Sequence, residues 1–284
     1  MRERLLVHQK NEITEYHLYG KLSRGLRHPE NRRILEKIAQ EELRHHHIWQ
    51  NHTQQDVSPD QWAIRKYYWI SRVLGFTFGL KLMERREEDA QAGYEELIQV
   101  IPQAETIMRE ENEHEAALLQ MLDEERLRYT GSMVLGLSDA LVELTGVLAG
   151  LTLALQDTKL IALTGSITGI AAALSMGASE YLSTKTEPTV KSPFKAAVYT
   201  GSAYLVTVLL LVLPFLVLSN YYLSLSCTLA GAVSIIALFN YYISVAKDEP
   251  FRRRFFEMAG LSLGVAAFSF LIGFLMRTFL GIDI

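Results

Sequence analysis

Two stretches of the chain place a carboxylate and an imidazole three residues apart. They are Glu42-Leu-Arg-His45, inside EELRHHHIW, and Glu111-Asn-Glu-His114, inside IMREENEHEAALL. On a helix, residues i and i+3 stand one above the other on one face. A carboxylate so placed can bridge two metal ions while the imidazole holds one of them. Both motifs lie on apolar stripes at helical spacing, Ile34-Ile38-Glu42-His45-Trp49 and Ile107-Glu111-His114-Leu118-Met121. Two further stripes carry lone acids, Leu5-Glu12-Tyr16-Tyr19-Leu26 and Met83-Glu87-Ala90-Tyr94-Leu97. An acid on a dry face must be paired, protonated or bound to metal. Two E-x-x-H helices plus one Glu from each of two others make a di-metal carboxylate site inside a four-helix bundle. The expected ligands are Glu12, Glu42, His45, Glu87, Glu111 and His114, with Glu84 one turn before Glu87 as the alternative on the third helix. Glu15 and Glu113 are extra candidates. His8, His17, His28, His46, His47 and His52 belong to no motif and are expected at the solvated surface.

The elements that must hold these residues occupy the first part of the chain. Residues 1–130 carry 19 Lys/Arg and 23 Asp/Glu, against 9 and 9 in residues 131–284, and all eight histidines. A net charge of −4 with no basic stripe argues against nucleic acid as a partner. The single Cys227 excludes an internal disulfide, and the opening residues are too polar for a signal peptide. The first hairpin is expected to turn near His28–Pro29 and the second near Pro102. That puts Glu12 level with Glu42/His45, and Glu87 a few residues deeper than Glu111. Residues 54–80 join the hairpins, with a helix start read at Ser58-Pro59. The aromatic and basic WAIRKYYWISRVLGFTFGL reads as the bundle's crossover or as a helix in a membrane interface.

After Tyr129 come five runs long enough to span a bilayer: 132–155, 160–183, 196–218, 221–246 and 258–280. Lys185, Lys191 and Lys195, then Lys247 and Arg252–Arg254, mark one side as cytoplasmic. The bundle is thus expected inside the cell, continuous with the first span through DEERLRYTGS, and the C-terminus outside. The first span holds Asp139 and Glu143, the second Met176 and Glu180. Each pair is i, i+4 and shares a face. A mid-membrane carboxylate costs roughly 2.5–3.5 kcal/mol on insertion scales. Such acids face an internal path, and the Met thioether suits transition metals. The opposing reading has Glu143 and Glu180 snorkelling to the water boundary.

NEITEYHLYGKLS, IAQEELRHHHIW, LMERREEDAQAGYEEL and IMREENEHEAALL resemble the rubrerythrin branch of the ferritin-like superfamily. That resemblance implies a di-iron site, but the rubredoxin module's Cys-x-x-Cys pairs are absent. GLSDALVELTGVLAGLT and ALSMGASEYLS resemble the vacuolar iron transporter family. The second resemblance implies a homodimer that moves Fe2+ and Mn2+ out of the cytosol against protons, with Asp139 and Met176 lining the path and Glu143 and Glu180 contributing. Plant members carry a metal-binding insert between spans 2 and 3, where this chain has only STKTEPTVKSPFK, and an acid where this chain has Thr168. Together the halves resemble membrane-bound ferritin.

The reading is an all-α protein: a cytoplasmic ferritin-like four-helix bundle (1–130), then a five-helix transmembrane domain (131–284). Its expected role is a prokaryotic plasma-membrane exporter of iron, with manganese as the alternative cargo. The bundle would sense, deliver or oxidise the metal. The rival reading is a membrane-anchored di-iron oxidase or oxygenase.

Overall fold

The computed structural model describes residues 2–26, 28–91, 101–120, 129–188, 191–247 and 249–280; side chains at 84–91, 115, 119, 120 and 280 are outside that description. The described residues are helical, without strands. The chain divides into two compact units, Met1–Glu124 and Glu125–Ile284.

The first unit holds α1 (Arg2–Ser23), α2 (Pro29–Thr53), α3 (Gln61–Leu74), α4 (Phe76–Gln91) and α5 (Gln103–Gln120). α2 opens where expected, with His28 at its cap and Pro29 in its first turn, where a missing N–H costs nothing. Contacts from Gln9 to Thr53 and from Glu12 to Trp49 show α1 and α2 running antiparallel. The apolar residues form two separate layers. One joins Leu18 and Leu22 of α1, Leu35 and Ile38 of α2 and Leu118 of α5. The other joins Leu5, Trp49 and Ile107. Between them, on all three helices, lies a polar layer: Glu12, Glu42 with His45, and Glu111 with His114.

The crossover differs from expectation. Helix α3 starts at Gln61, because the Asp60 carboxylate accepts the N–H groups of Trp62 and Ala63 and so caps it one residue past Pro59. The crossover ends at Gly75, whose φ of 108° suits glycine and breaks the helical path. Residues 76–80, read as crossover, already belong to α4.

The second unit holds α6 (Thr130–Leu155), α7 (Thr158–Thr186), α8 (Pro193–Val217), α9 (Tyr221–Lys247) and α10 (Phe251–Leu280). All five are long and apolar enough to cross a membrane. The shortest, α8 with 25 residues, reaches about 37 Å at 1.5 Å per residue, more than a hydrocarbon core of ~30 Å. α10 begins seven residues earlier than expected, so Arg252, Arg253 and Arg254 lie in its first turn rather than in a loop. Arg253 pairs with Glu257, one turn on, and Arg254 with Glu249, which satisfies the charges at the helix start. The core packs Leu141, Leu144 and Leu148 of α6 against Ile161, Tyr204, Leu211 and Ile236. α6 and α10 meet backbone to backbone at Gly150 and Gly273, where a Cβ on Gly273 would strike the Gly150 carbonyl.

Candidate metal centre

Three helices of the first unit aim their acids and imidazoles at one another. One ligand atom from each of Glu12, Glu42, His45 and Glu111 lies within 4.8 Å of the others. His45 Nδ1 is 3.6 Å from Glu12 Oε2, 3.6 Å from Glu42 Oε2 and 3.0 Å from Glu111 Oε1. A second pole forms around His114, whose Nδ1 is 3.1 Å from Glu42 Oε1 and 3.6 Å from Glu111 Oε2. Glu42 and Glu111 therefore turn one oxygen to each imidazole, an arrangement suited to bridging two cations. The rings of His45 and His114 stack 5.8 Å apart.

These groups are close without being satisfied. Glu42 Oε2, His45 Nδ1, Glu111 Oε1 and His114 Nδ1 are all buried and make no aligned hydrogen bond. Glu42 is 1% exposed and His45 0%. Leaving such atoms unpaired costs about 1–3 kcal/mol each, more when charged, whereas divalent ions at the two poles would satisfy all four. The donor set of carboxylate oxygens and imidazole nitrogens suits iron or manganese and has no thiolate. The residues present therefore fit a metal.

The protonation pattern follows from the same geometry. Burial pushes the Glu42 carboxyl well above the ordinary range, and the Glu111 charge adds to this. Burial also opposes ionisation of Glu111, but the His114 and His45 rings outweigh it and hold that carboxyl at about 2. For the imidazoles, burial disfavours the charge. At His45 the surrounding Glu111, Glu12 and Glu42 carboxylates overcome it and raise the pKa far above the usual value. At His114, Glu111 and Glu42 do the same, to about 10. The carboxylates thus bias both imidazoles toward the doubly protonated, cationic form.

The far side of each ring was not foreseen. His45 Nε2 is 2.8 Å from Glu110 Oε2, and His114 Nε2 is 2.8 Å from Glu41 Oε2. Each supporting acid immediately precedes the bridging Glu of the other helix's motif. Each also has a cation beside it: Arg44 Nη2 at 2.6 Å from Glu110, and Lys37 at 3.6 Å from Glu41. A carboxylate can only accept, so it fixes the ring proton on Nε2 and leaves the Nδ1 lone pair for metal. The signal was present in the sequence as E-E-x-x-H in both motifs. Trp49 was also missed as a site residue: its Nε1 donates to Glu12 Oε1 at 3.0 Å and leaves the other oxygen for the cluster.

The remaining candidates are placed as follows. Glu15 is buried on α1, three residues after Glu12. Glu84 and Glu87 are on α4, with side chains outside the described residues, so the third-helix ligand is not located. Residues 121–128, expected to continue the last bundle helix toward the first span, are also outside them. Glu113 is not brought into the cluster: its side chain is 68% exposed and lies 3.9 Å from Arg109. His17, His28, His47 and His52 are exposed as expected, but two histidines are not. His8 is buried with its ring 5.7 Å from Trp49, and His46 is buried with Nδ1 2.9 Å from the Gln9 carbonyl. Both sit where α2 packs on α1, so helix contact rather than motif decides their burial.

In the second unit, one member of each i, i+4 pair on α6 and α7 has a hydrogen-bond partner. Tyr204 Oη donates to Glu143 Oε2 at 2.8 Å, and Ser132 Oγ donates to Glu180 Oε1 at 2.6 Å. Thr200 Oγ1 in turn donates to the Ser132 carbonyl, tying α8 into the same network. Glu180 therefore lies in a contact with α6 one to two turns from its helix end. Asp139 is half-buried, and Met176 packs against the apolar core. Acids and a thioether thus share the α6–α7 hairpin inside apolar helices.

Residues 130–191 match the VIT family. The matched segment comprises α6, α7 and the following link, and includes Asp139, Glu143, Met176 and Glu180. The match implies membrane transport of a metal ion, iron or manganese. No match to a curated protein was found for the chain.

Proposed function

We propose that the protein is a membrane exporter of Fe2+, with Mn2+ as a second cargo, coupled to protons. Its cytoplasmic unit is a di-iron-binding, ferritin-like bundle that senses, delivers or oxidises the metal before export. The observation that carries this reading is the pairing of two features in one chain. One is the buried cluster with four unsatisfied ligand atoms, Glu42 Oε2, His45 Nδ1, Glu111 Oε1 and His114 Nδ1. The other is an acid-bearing hairpin within a VIT-family match. A mere anchor for an oxidase has no need of Asp139 or Met176 in its apolar helices, which ranks the enzyme reading second.

Glu12, Glu42, His45, Glu111 and His114 hold metal in the bundle, and a bound Fe2+ pair there supplies redox chemistry. Glu41 and Glu110 keep the imidazole protons on Nε2. Asp139, Glu143, Met176 and Glu180 line the ion path, and their carboxylates carry protons back as metal leaves. The basic residues at the α7–α8 and α9–α10 ends favour an orientation with the bundle on the cytoplasmic side of a prokaryotic plasma membrane and the C-terminus outside. The working state is a homodimer.

The test follows ion flux and pH together in proteoliposomes. Glu42→Ala with Glu111→Ala should leave insertion intact and lower export or its response to iron; unchanged export rejects the bundle's role. Asp139→Asn should abolish flux; Fe2+ transport at the wild-type rate and pH dependence rejects the path.

A further inference from the structure

The crossover helix α3 is apolar on two opposite faces. Ala63, Ile64, Tyr67 and Ser71 are buried in the bundle. The outward face carries Trp62 and Trp69, which are 69% and 64% exposed, and Val73, also exposed. At roughly 100° per residue these three lie within about 40° of one another, a narrow outward stripe. Arg65 and Arg72 flank it on one side and Lys66 on the other, all exposed. Lys66 Nζ sits 5.2 Å above the Trp62 ring, so the ammonium stays beside the indole. From Gln61 to Leu74 the helix contains no acid. Exposed large indoles are costly in water and are favoured at the headgroup level of a bilayer, where cations flank them and bind anionic lipid.

We propose that α3 is an interfacial docking helix: Trp62 and Trp69 enter the headgroup region of an anionic bilayer, and Arg65, Lys66 and Arg72 bind lipid phosphates. The occupant is chosen by charge, since a stripe of tryptophans framed by three cations and no acid complements an anionic lipid surface. The apolar helices of the same chain also keep such a surface at high local concentration. The docked helix would hold the metal cluster's bundle at the lipid surface, because its inner face packs against α1 and α4.

The chain's three tryptophans, at 49, 62 and 69, permit a direct test. The full-length protein is reconstituted into phosphatidylglycerol/phosphatidylcholine vesicles with and without acyl-brominated lipid. Bromolipid should remove roughly half or more of the wild-type tryptophan emission if both outer indoles sit in the interface. The W62F/W69F chain keeps only Trp49, which is fully buried, and should be unaffected by bromolipid. In R65Q/K66Q/R72Q, or in vesicles of phosphatidylcholine alone, the outer indoles should escape bromolipid and become open to aqueous acrylamide. Wild-type emission quenched by acrylamide but not by bromolipid would overturn the proposal. So would bromolipid quenching of equal size with and without anionic lipid. A Mn2+ titration of each variant confirms that the bundle is folded. Because the readout needs no ion flux, its failure is distinct from failure of the transport reading.

Discussion

Acidification should weaken metal binding by the bundle, and the protons on the two imidazoles set by how much. His114 has its pKa held at about 10. At pH 7 a metal that takes its Nδ1 lone pair must displace a proton held about three units more tightly than the solution sets, a cost of roughly 4 kcal/mol. His45 is shifted in the same direction by Glu111, Glu12 and Glu42 despite its burial. The sign is fixed: below these pKa values protons compete with metal, so affinity rises with pH. One displaced proton per site gives a tenfold change per pH unit, so binding should strengthen about a hundredfold from pH 6 to pH 8. The proton on Glu42, favoured by burial and by the Glu111 charge, would steepen the dependence. Calorimetric titration with Mn2+, which resists oxidation in air, in buffers of different ionisation enthalpy counts the protons released. His114→Ala should release about one fewer. An affinity flat between pH 6 and pH 8, with heats independent of buffer, would refute the assignment of these protons.

Glu41→Gln and Glu110→Gln remove charge from behind His114 and His45 while keeping shape. Each should cost about 10–100-fold in Mn2+ affinity with the helical content unchanged, and equal affinity would show that the supporting contacts are idle. Trp49→Phe deletes the N–H that holds Glu12 Oε1, and should weaken binding at the His45 pole more than at the His114 pole, read as two unequal affinities in the same titration. Gly273→Ala pushes a methyl into the Gly150 carbonyl. It should lower the unfolding stability of the detergent-solubilised chain by about 1–3 kcal/mol, a result absent for Gly264→Ala, where the space is open.

The five apolar helices were legible because a bilayer demands length and hydropathy and both are local properties. Their ends were less so: Arg252–Arg254 read as loop, but charged residues serve equally well in a first helical turn once Glu257 and Glu249 pair with them. The stripes of α1, α2 and α5 were legible through their period, and with them the convergence of Glu12, Glu42, His45, Glu111 and His114. The supporting pair Glu41 and Glu110 was not, although both stand in plain view. Their partners lie 73 and 65 residues away, and only the packing of α2 on α5 says which imidazole each one meets. The same limit misplaced His8 and His46, whose burial depends on where α2 rests on α1. By itself, then, the sequence determined that acids and imidazoles occur at helical spacing on dry faces, and that apolar runs follow, because periodicity and composition act within one element. Only the tertiary structure decided that two carboxylates turn one oxygen to each of two stacked rings, and that the rings are backed crosswise by the other helix's acids. Those distances depend on how separate helices meet, and no local pattern encodes them.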